Sequence, residues 1–324
     1  MIKAWLVVNA FLNTNKFSEI SEWLVKAAKK KEIQLEIKTN AELLYMLGSN
    51  THLINKKDID EKSIDNRYFI DNDSNEKDIY QKEIGMNKPE FILFWDKDIR
   101  LARYMEQVGF RVFNSSRAIE ICDDKSYTHL LLNHAGIPMP KTMLSPMTYA
   151  NIGYTDYHFL DTVMNSFTFP FIVKECFGSF GQQVYLVHNE EELKSCVLRI
   201  GAKPMLFQEF IHTSFARDIR LQVVGDRVIT SMYRYSDNGD FRANITNGGK
   251  MKAYSPSIEE ESLAIAACKA IGLDFAGVDL LFGPNNEPLV CEVNSNAHFK
   301  NIYDCTKVDV ANAIFTDILR KIEQ

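Results

Sequence analysis

A chain of 324 residues exceeds one small core and has room for two or three lobes. Its 46% hydrophobic and 25% charged content is that of an ordinary globular protein. The net charge of −6 excludes a broad footprint for a phosphate backbone, so no nucleic-acid partner is expected. The one tight basic run, Lys29-Lys30-Lys31, follows a helical pattern and suits the end of a helix dipole. None of the six cysteines forms a CxxC pair, which argues against a zinc site or a disulfide framework. No apolar run approaches membrane-spanning length and no leader pattern opens the chain, so the expectation is a cytoplasmic protein with no membrane partner.

The first part of the chain alternates strand and helix signals. Trp5 to Val8 is a short apolar run. Ser18 to Lys31 has helical spacing, with Ser18 as cap, Glu19 and Glu22 in the first turn, and Ile20, Trp23, Leu24 and Ala27 on one face. Ile33 to Ile37 alternates with period two, and Phe91 to Trp95 reads as a buried strand. A helix then runs to Val108, is stopped by Gly109, and gives way to a strand at Arg111 to Phe113. This order predicts a parallel sheet with helical crossovers. The polar stretch from Asn55 to Lys88 reads as an irregular excursion.

Near residue 121 the pattern changes. Lys125 to Ala135 reads as a helix ended by Gly136, with Pro138 and Pro140 marking the exit. The stretch Pro146 to Ser166, with Tyr149, Tyr154, Tyr157 and His158, reads as a structural elaboration, with contact to an acceptor as the alternative. Phe171 to Glu175 and Val184 to Val187 are strands around a glycine-bearing loop, followed by a helix at Glu190 to Ile200 and a strand at Met205 to Glu209. Further on, Ser257-Ile258-Glu259-Glu260 is a capping box opening a helix to about Ile271.

The most informative stretch runs from Gly277 to Asn294, where two β-runs flank a Gly-Pro-Asn-Asn turn. A turn centred between Asn285 and Asn286 sets Asp279 opposite Glu292, and Asn294 joins them on the same face. The other face collects Val278, Leu280 and Phe282 against Val293, Cys291 and Leu289. Facing carboxylates repel unless a cation compensates, and hard oxygens beside an amide suit magnesium. A solvated polar face on an amphipathic hairpin is the competing reading.

Gly178 and Gly181 in the loop between strands allow backbone amides to approach phosphate oxygens, and Lys174 ends the strand that feeds it. No Gly-Lys-Ser/Thr follows, so this is not a Walker-type loop. In Arg217 to Val223, Asp218, Arg220 and Gln222 face one way while Ile219, Leu221 and Val223 pack behind. Arg234, Arg242 and Asn244 follow. Converging guanidinium groups beside paired carboxylates are what phosphoryl transfer to a carboxylate needs. Structural salt bridges are the plainer reading of each arginine. The seven histidines show no metal-type spacing, and no hydrolase nucleophile motif is present.

From about residue 120 onward the chain resembles the ATP-grasp superfamily, and within it the RimK-type glutamate ligases. The resemblance is carried, in order, by Asp124-Lys125, Ile137 to Thr142, Phe171 to Lys174, Gly178 to Gly181, Gln208 to Ile211, Asp218 to Arg220, Gly239 to Asn244, Ala276 to Asp279 and Glu292 to Asn294. It implies an α/β and α+β protein: a preceding Rossmann-like α/β domain over 1–121, then an ATP-grasp domain over 122–324. Within the latter it implies a small lid lobe over about 128–210 and a larger catalytic lobe over about 211–324.

The resemblance also implies roles. Lys125 and Lys174 would meet the phosphates of ATP, with Gly178, Ser179 and Gly181 in the lid. Gln208, Glu209, Phe210 and Ile211 would form the strand that reads adenine, and Asp218 would serve the ribose side. Arg220, Arg234, Arg242 and Asn244 would surround the phosphoryl group, Arg234 and Arg242 as catalytic residues. Asp279, Glu292 and Asn294 would hold two magnesium ions, for which manganese could substitute, with Glu292 between them. The implied reaction is transfer of the γ-phosphoryl group to an acceptor carboxylate, followed by attack of an amine. The partners are thus ATP, an amino-acid amine donor such as glutamate, and a carboxylate acceptor on a peptide, protein or small molecule. A homo-oligomer is compatible with this. The alternative is a nucleotide-binding regulatory module without turnover. Two departures fall where amine and acceptor should sit: Ser295 to Lys300 replaces a Ser-Pro-Gly-type turn, and Asn247 stands where relatives carry a basic residue.

Overall fold

In this computed structural model, which describes residues 1–12, 14–47, 51–55, 68–70, 88–178, 181–243, 245 and 248–323, the first apolar run becomes strand β1 (Ile2–Val8). Helix α1 (Asn15–Lys30), β2 (Ile33–Thr39), β3 (Leu43–Met46), β4 (Thr51–Asn55), β5 (Tyr68–Ile70) and β6 (Phe91–Phe94) follow. Then come α2 (Ile99–Gln107), β7 (Val112–Phe113) and α3 (Ser116–Asp123). One sheet has the order β2-β1-β6-β7, and every pairing in it is parallel, as the alternating signals predict. All of β6 is buried, which is why Phe91 to Phe94 reads as a continuous apolar run rather than an alternation. Strands β3, β4 and β5 form a separate antiparallel sheet. The stretch read as irregular therefore contains a strand, Tyr68–Ile70; most of the rest lies outside the described residues.

Helix α1 corrects the expected start. It begins at Asn15, and the preceding Thr14 makes no side-chain cap bond. Ser18 lies inside the helix, where its hydroxyl bonds back one turn to the Thr14 carbonyl at 3.3 Å. Glu19 and Glu22 accordingly fall beyond the first turn. The apolar stripe is unaffected: Ile20, Leu24 and Ala27 are buried.

The chain divides into two compact units, Met1–Glu120 with Asp309–Gln324, and Ile121–Val308. The C-terminal stretch thus joins the first unit rather than the second, contrary to the 122–324 division. Asp309 caps the last helix, Val310–Ile322, by accepting from the Asn312 amide at 3.1 Å. It also accepts from the Trp23 indole at 3.3 Å and pairs with Lys30 at 3.6 Å. Ile314, Phe315 and Ile318 are buried, and the Phe315 ring lies 6.5 Å from Phe91. Side chains of this size each contribute about 1.5–3 kcal/mol when buried.

The second unit opens with α4 (Lys125–His134), capped by Asp124, which accepts from the Ser126 amide at 2.8 Å. Its smaller sheet contains β8 (Thr142–Leu144), β9 (Phe171–Glu175), β10 (Val184–Val187) and β11 (Met205–Gln208) in the order β10-β9-β11-β8, all antiparallel. Helices α5 (Phe159–Ser166) and α6 (Glu190–Ile200) share a core with one face of that sheet, including Phe171, Val173, Met205 and Phe207. Tyr154 and Tyr157 pack against this core beside Phe159, a structural use of the elaboration. By the period of two, Ile172, Lys174 and Gln208 fall on the opposite face.

The larger sheet has the order β14-β13-β12-β15-β16 and is antiparallel throughout. Its strands are β12 (Arg217–Val224), β13 (Arg227–Tyr235), β14 (Lys250–Ala253), β15 (Phe275–Phe282) and β16 (Pro288–Asn294). Helix α7 (Ile258–Ile271) packs on it, opened by the predicted capping box: Glu260 amide to Ser257 hydroxyl at 3.2 Å, and Ser257 amide to Glu260 carboxylate at 2.7 Å.

The β15–β16 hairpin reaches the expected pairing by another route. Gly283 donates to the Glu287 carbonyl at 2.8 Å, so the loop is Pro284-Asn285-Asn286, with Asn286 at φ 65°. Such a three-residue loop with a left-handed last residue is a recurrent hairpin form. It pairs Leu280 with Val290, one residue out of step with the predicted register. A bulge between Asp279 and Leu280 then restores the pairing of Asp279 with Glu292 and of Gly277 with Asn294. The extra residue is Cys291. Val290, rather than Cys291, joins Val278, Leu280 and Val293 in the core.

Candidate active site

A cleft open to solvent is lined from both sheets of the second unit and from the segments joining them. The smaller sheet supplies Ile172, Lys174 and Gln208; the larger supplies Asp218, Arg234, Asp279, Leu281, Cys291 and Glu292. Lys125, at the start of α4, completes one wall: its Nζ donates to the Gly178 carbonyl at 3.1 Å and lies 3.8 Å from Glu292 Oε1. Glycine is favoured at position 178 because its φ is 144°, a backbone conformation that L side chains rarely adopt.

The floor is a four-residue ion network built by register. Arg220 lies across from Asp279 in the β12/β15 pairing, with Nε and Nη2 each 2.6 Å from a different carboxylate oxygen. Arg234, paired with Asp218 in register, sends Nε to Asp218 at 2.6 Å and Nη2 to Asp279 at 2.9 Å. Burial pushes the Asp279 carboxyl up, but Arg220 and Arg234 outweigh it and hold the group below its usual range. At Asp218 burial, with the nearby Asp279 charge, outweighs Arg234 and pushes the carboxyl up. The Arg234 guanidinium is held above its ordinary value because the two carboxylates outweigh the cost of burial.

Arg242 reaches the same cleft from the loop after β13. It bonds Asp240 through its backbone amide, Nε and Nη2, and holds that carboxylate below its usual range. Its Nη1 donates to the Gly181 carbonyl at 2.6 Å. Three of the five guanidinium N–H groups are thereby used, and two are left for a ligand.

Of the residues singled out from sequence, Lys125, Lys174, Gly178, Gly181, Gln208, Glu209, Phe210, Ile211, Asp218, Arg234, Arg242, Asp279 and Glu292 line one cleft. Arg220, Asn294 and the segment Glu209 to Ile211 do not stand as expected. Arg220 is committed to Asp279 and is not among the residues that line the cleft. Asn294 shares a face with Glu292 but does not line the cleft, and among the described residues its buried Nδ2 has no hydrogen-bond partner. Glu209 to Ile211 are not strand: β11 ends at Gln208, and these residues connect the two sheets. Ser179 and Asn244 lie outside the described residues.

Sequence reasoning missed two members. Cys291 was assigned to the core, yet the bulge turns it into the cleft, with Sγ 3.8 Å from Lys174 Nζ. Reading Pro284-Asn285-Asn286 as a three-residue loop would have revealed the need for an extra residue. His129 was read only as one of seven histidines without metal-type spacing; it is buried beside Gln208, with Nε2 3.3 Å from the Gln208 amide nitrogen.

The donor set suits a single hard cation such as magnesium. A carboxylate offers about four lone-pair positions, and the arginines occupy three on Asp279, which leaves one. Among the described residues Glu292 has only the long Lys125 contact. The unpartnered Asn294 amide, turned over, would present its oxygen instead. Among the described residues no cluster of three or more His, Cys, Asp or Glu forms a self-sufficient metal cage. Two hard carboxylates with an amide behind them fit an ion that takes its other ligands from phosphate and water.

A cationic cleft held between two antiparallel sheets is the architecture of the ATP-grasp ligases. The model of the RimK-like ATP-grasp domain matches residues 122–318. An uncharacterized protein, the MG012 homolog of Mycoplasma pneumoniae, is 34% identical over 234 residues, which cover 71% of this chain and 81% of that one. Human beta-citrylglutamate synthase B is 33% identical over 221 residues, 68% of this chain and 55% of the other, so this chain spans about half the length of that relative. Among solved structures, the ATP-grasp ligase PsnB complexed with minimal precursor, Mg and ADP superposes with a TM-score of 0.66 at 15% identity, over 99% of this chain and 98% of that one. The chain belongs to the RimK-like ATP-grasp family of carboxylate–amine ligases.

Proposed function

We propose that Ile121–Val308 is the catalytic unit and that it transfers the γ-phosphoryl group of ATP to an acceptor carboxylate. An amino-acid amine then attacks the resulting acyl phosphate, and phosphate leaves. Glutamate is the first amine to test, because it is named in the product of the human relative. The acceptor is a peptide, a protein or a small carboxylic acid. The observation that carries this reading is the facing pair Asp279 and Glu292 in a cleft that also holds Lys125, Lys174 and Arg242.

The residues divide the work by position. Lys174 and Lys125 meet the phosphates as compact charges, with Gly178 and Gly181 beside them. Arg242 turns its two remaining N–H groups toward the migrating phosphoryl group, where a shielded arginine contributes about 10³-fold or more in rate. Arg220 and Arg234 hold the Asp279 carboxyl below its usual range in a buried floor. Gln208 to Ile211 line the nucleobase end. Bound magnesium would be held by Glu292 and Asp279, and it would neutralise charge on the phosphates. Two ions sharing Glu292, or manganese in their place, is a stoichiometry that a metal titration counts.

No helix among the described residues is long and apolar enough to cross a membrane. We place the protein in the cytoplasm, in keeping with six cysteines that form no disulfide.

The test is ADP release, with magnesium, across a panel of amino acids paired with peptide and small carboxylic acceptors, and mass spectrometry of the product. Release that requires one amine–acid pair, with an amide product, supports the ligase reading. ATP binding without turnover on any pair points instead to a regulatory nucleotide-binding module.

A further inference from the structure

Behind the cleft-facing side chain of Gln208 lies a buried polar arrangement whose hydrogens can be assigned from its neighbours. Gln208 and His129 are 2% and 3% exposed. Gln208 stands opposite Thr142 in the β11/β8 register, and its Nε2 donates to Thr142 Oγ1 at 2.8 Å. The same nitrogen lies 3.3 Å from His129 Nε2.

Thr142 gives its own hydroxyl hydrogen to the Pro140 carbonyl at 2.8 Å, so toward Gln208 it acts as an acceptor. His129 Nδ1 lies 3.3 Å from the Met139 sulfur, which can accept a hydrogen but has none to give. The ring proton therefore sits on Nδ1, and Nε2 offers a lone pair. The ring is neutral: burial first, then Lys174 and Lys125, lower its pKa to about 3. Thr142 and His129 thus take both amide hydrogens of Gln208. Among the described residues nothing donates to Gln208 Oε1, and the side chain lines the cleft.

We propose that His129 is a positioning residue: with Thr142 it fixes the Gln208 amide so that the cleft offers a carbonyl acceptor to the nucleobase, favouring a 6-amino purine over a 6-keto purine. This rests on reading the cleft as the nucleotide site. A 6-amino group donates to that oxygen. A 6-keto group sets acceptor against acceptor, and sites built around one hydrogen bond reject the analogue that lacks it. Without the His129 lone pair, the amide can turn over and present its NH₂ to a keto oxygen.

The test titrates the full chain with ATP and with inosine triphosphate, which differs from ATP at position 6 of the base, by calorimetry. The wild type is expected to prefer ATP by about tenfold or more. His129→Leu should bring the two affinities within about threefold of each other, chiefly by weakening ATP. His129→Gln, whose amide oxygen stands near the place of Nε2, should restore the preference. Thr142→Val lowers the preference through the second acceptor and serves if His129→Leu does not fold. Equal weakening of both nucleotides in His129→Leu would reduce the residue to packing and overturn the proposal. A wild type that binds both nucleotides equally overturns it as well. A wild type that binds neither brings down the ligase reading too, whereas tight ATP binding with a preference unmoved in both variants sinks this inference alone.

Discussion

Arg220 grips Asp279 from the neighbouring strand, with two N–H groups each 2.6 Å from a carboxylate oxygen. Arg234 completes the hold and also binds Asp218, so two acids and two arginines neutralise one another in the floor of the cleft. The acid that should meet the metal is thus already oriented before any nucleotide arrives. Its partners also limit how much of it a cation can take.

Removing one member should expose the cost of the arrangement. Arg234→Met leaves Asp218 and Asp279 buried with one cation between them, at a cost of about 3–5 kcal/mol. Urea unfolding measures this. A loss under about 1 kcal/mol would mean that the acids are neutral in the fold, against the low carboxyl expected of Asp279.

Glu292 separates chemistry from stability, since its side chain is 35% exposed and its nearest cation is 3.8 Å away. Glu292→Gln should melt as the wild type does and form no ADP with a substrate pair that the wild type turns over. Full activity in this variant would refute Glu292 as a metal ligand.

Gly277 is a steric requirement of the hairpin. A Cβ there would stand 2.5 Å from that of Ala297, with Arg220 at 3.6 Å. Gly277→Ala should cost about 1–3 kcal/mol through overpacking. It should also weaken ATP binding, because the strain falls two residues from Asp279. Chemical unfolding and calorimetry check the two effects, and an unchanged midpoint would show that the 297 segment gives way freely.

His129 should make the protein acid-labile. Its folded pKa of about 3 lies below the ordinary 6.5, with burial, Lys174 and Lys125 as causes. Between those values the unfolded chain takes up a proton that the folded chain refuses, so stability falls as pH drops through that window. The slope is about 1.4 kcal/mol per pH unit, or about 2 kcal/mol between pH 7 and pH 5. His129→Gln should lack this loss. Unfolding of both proteins at the two pH values decides it, and equal losses would place the acid sensitivity elsewhere.

The sequence by itself determined what depends on near neighbours along the chain. Strand signals marked β9, β12 and β16, the Ser257–Glu260 box marked α7, and alternation set Asp218, Arg220 and Gln222 on the face opposite Ile219, Leu221 and Val223. The facing of Asp279 and Glu292 was also legible, although the turn that produces it has three residues and a compensating bulge. Tertiary structure alone decided which groups meet from distant segments: Arg220 on Asp279, Arg242 on Gly181, Cys291 beside Lys174, His129 behind Gln208, and the last helix on α1. The physical reason is that periodicity follows from backbone geometry within a few residues, whereas pairing partners are chosen only when strands close into sheets and buried charges must find opposite charges.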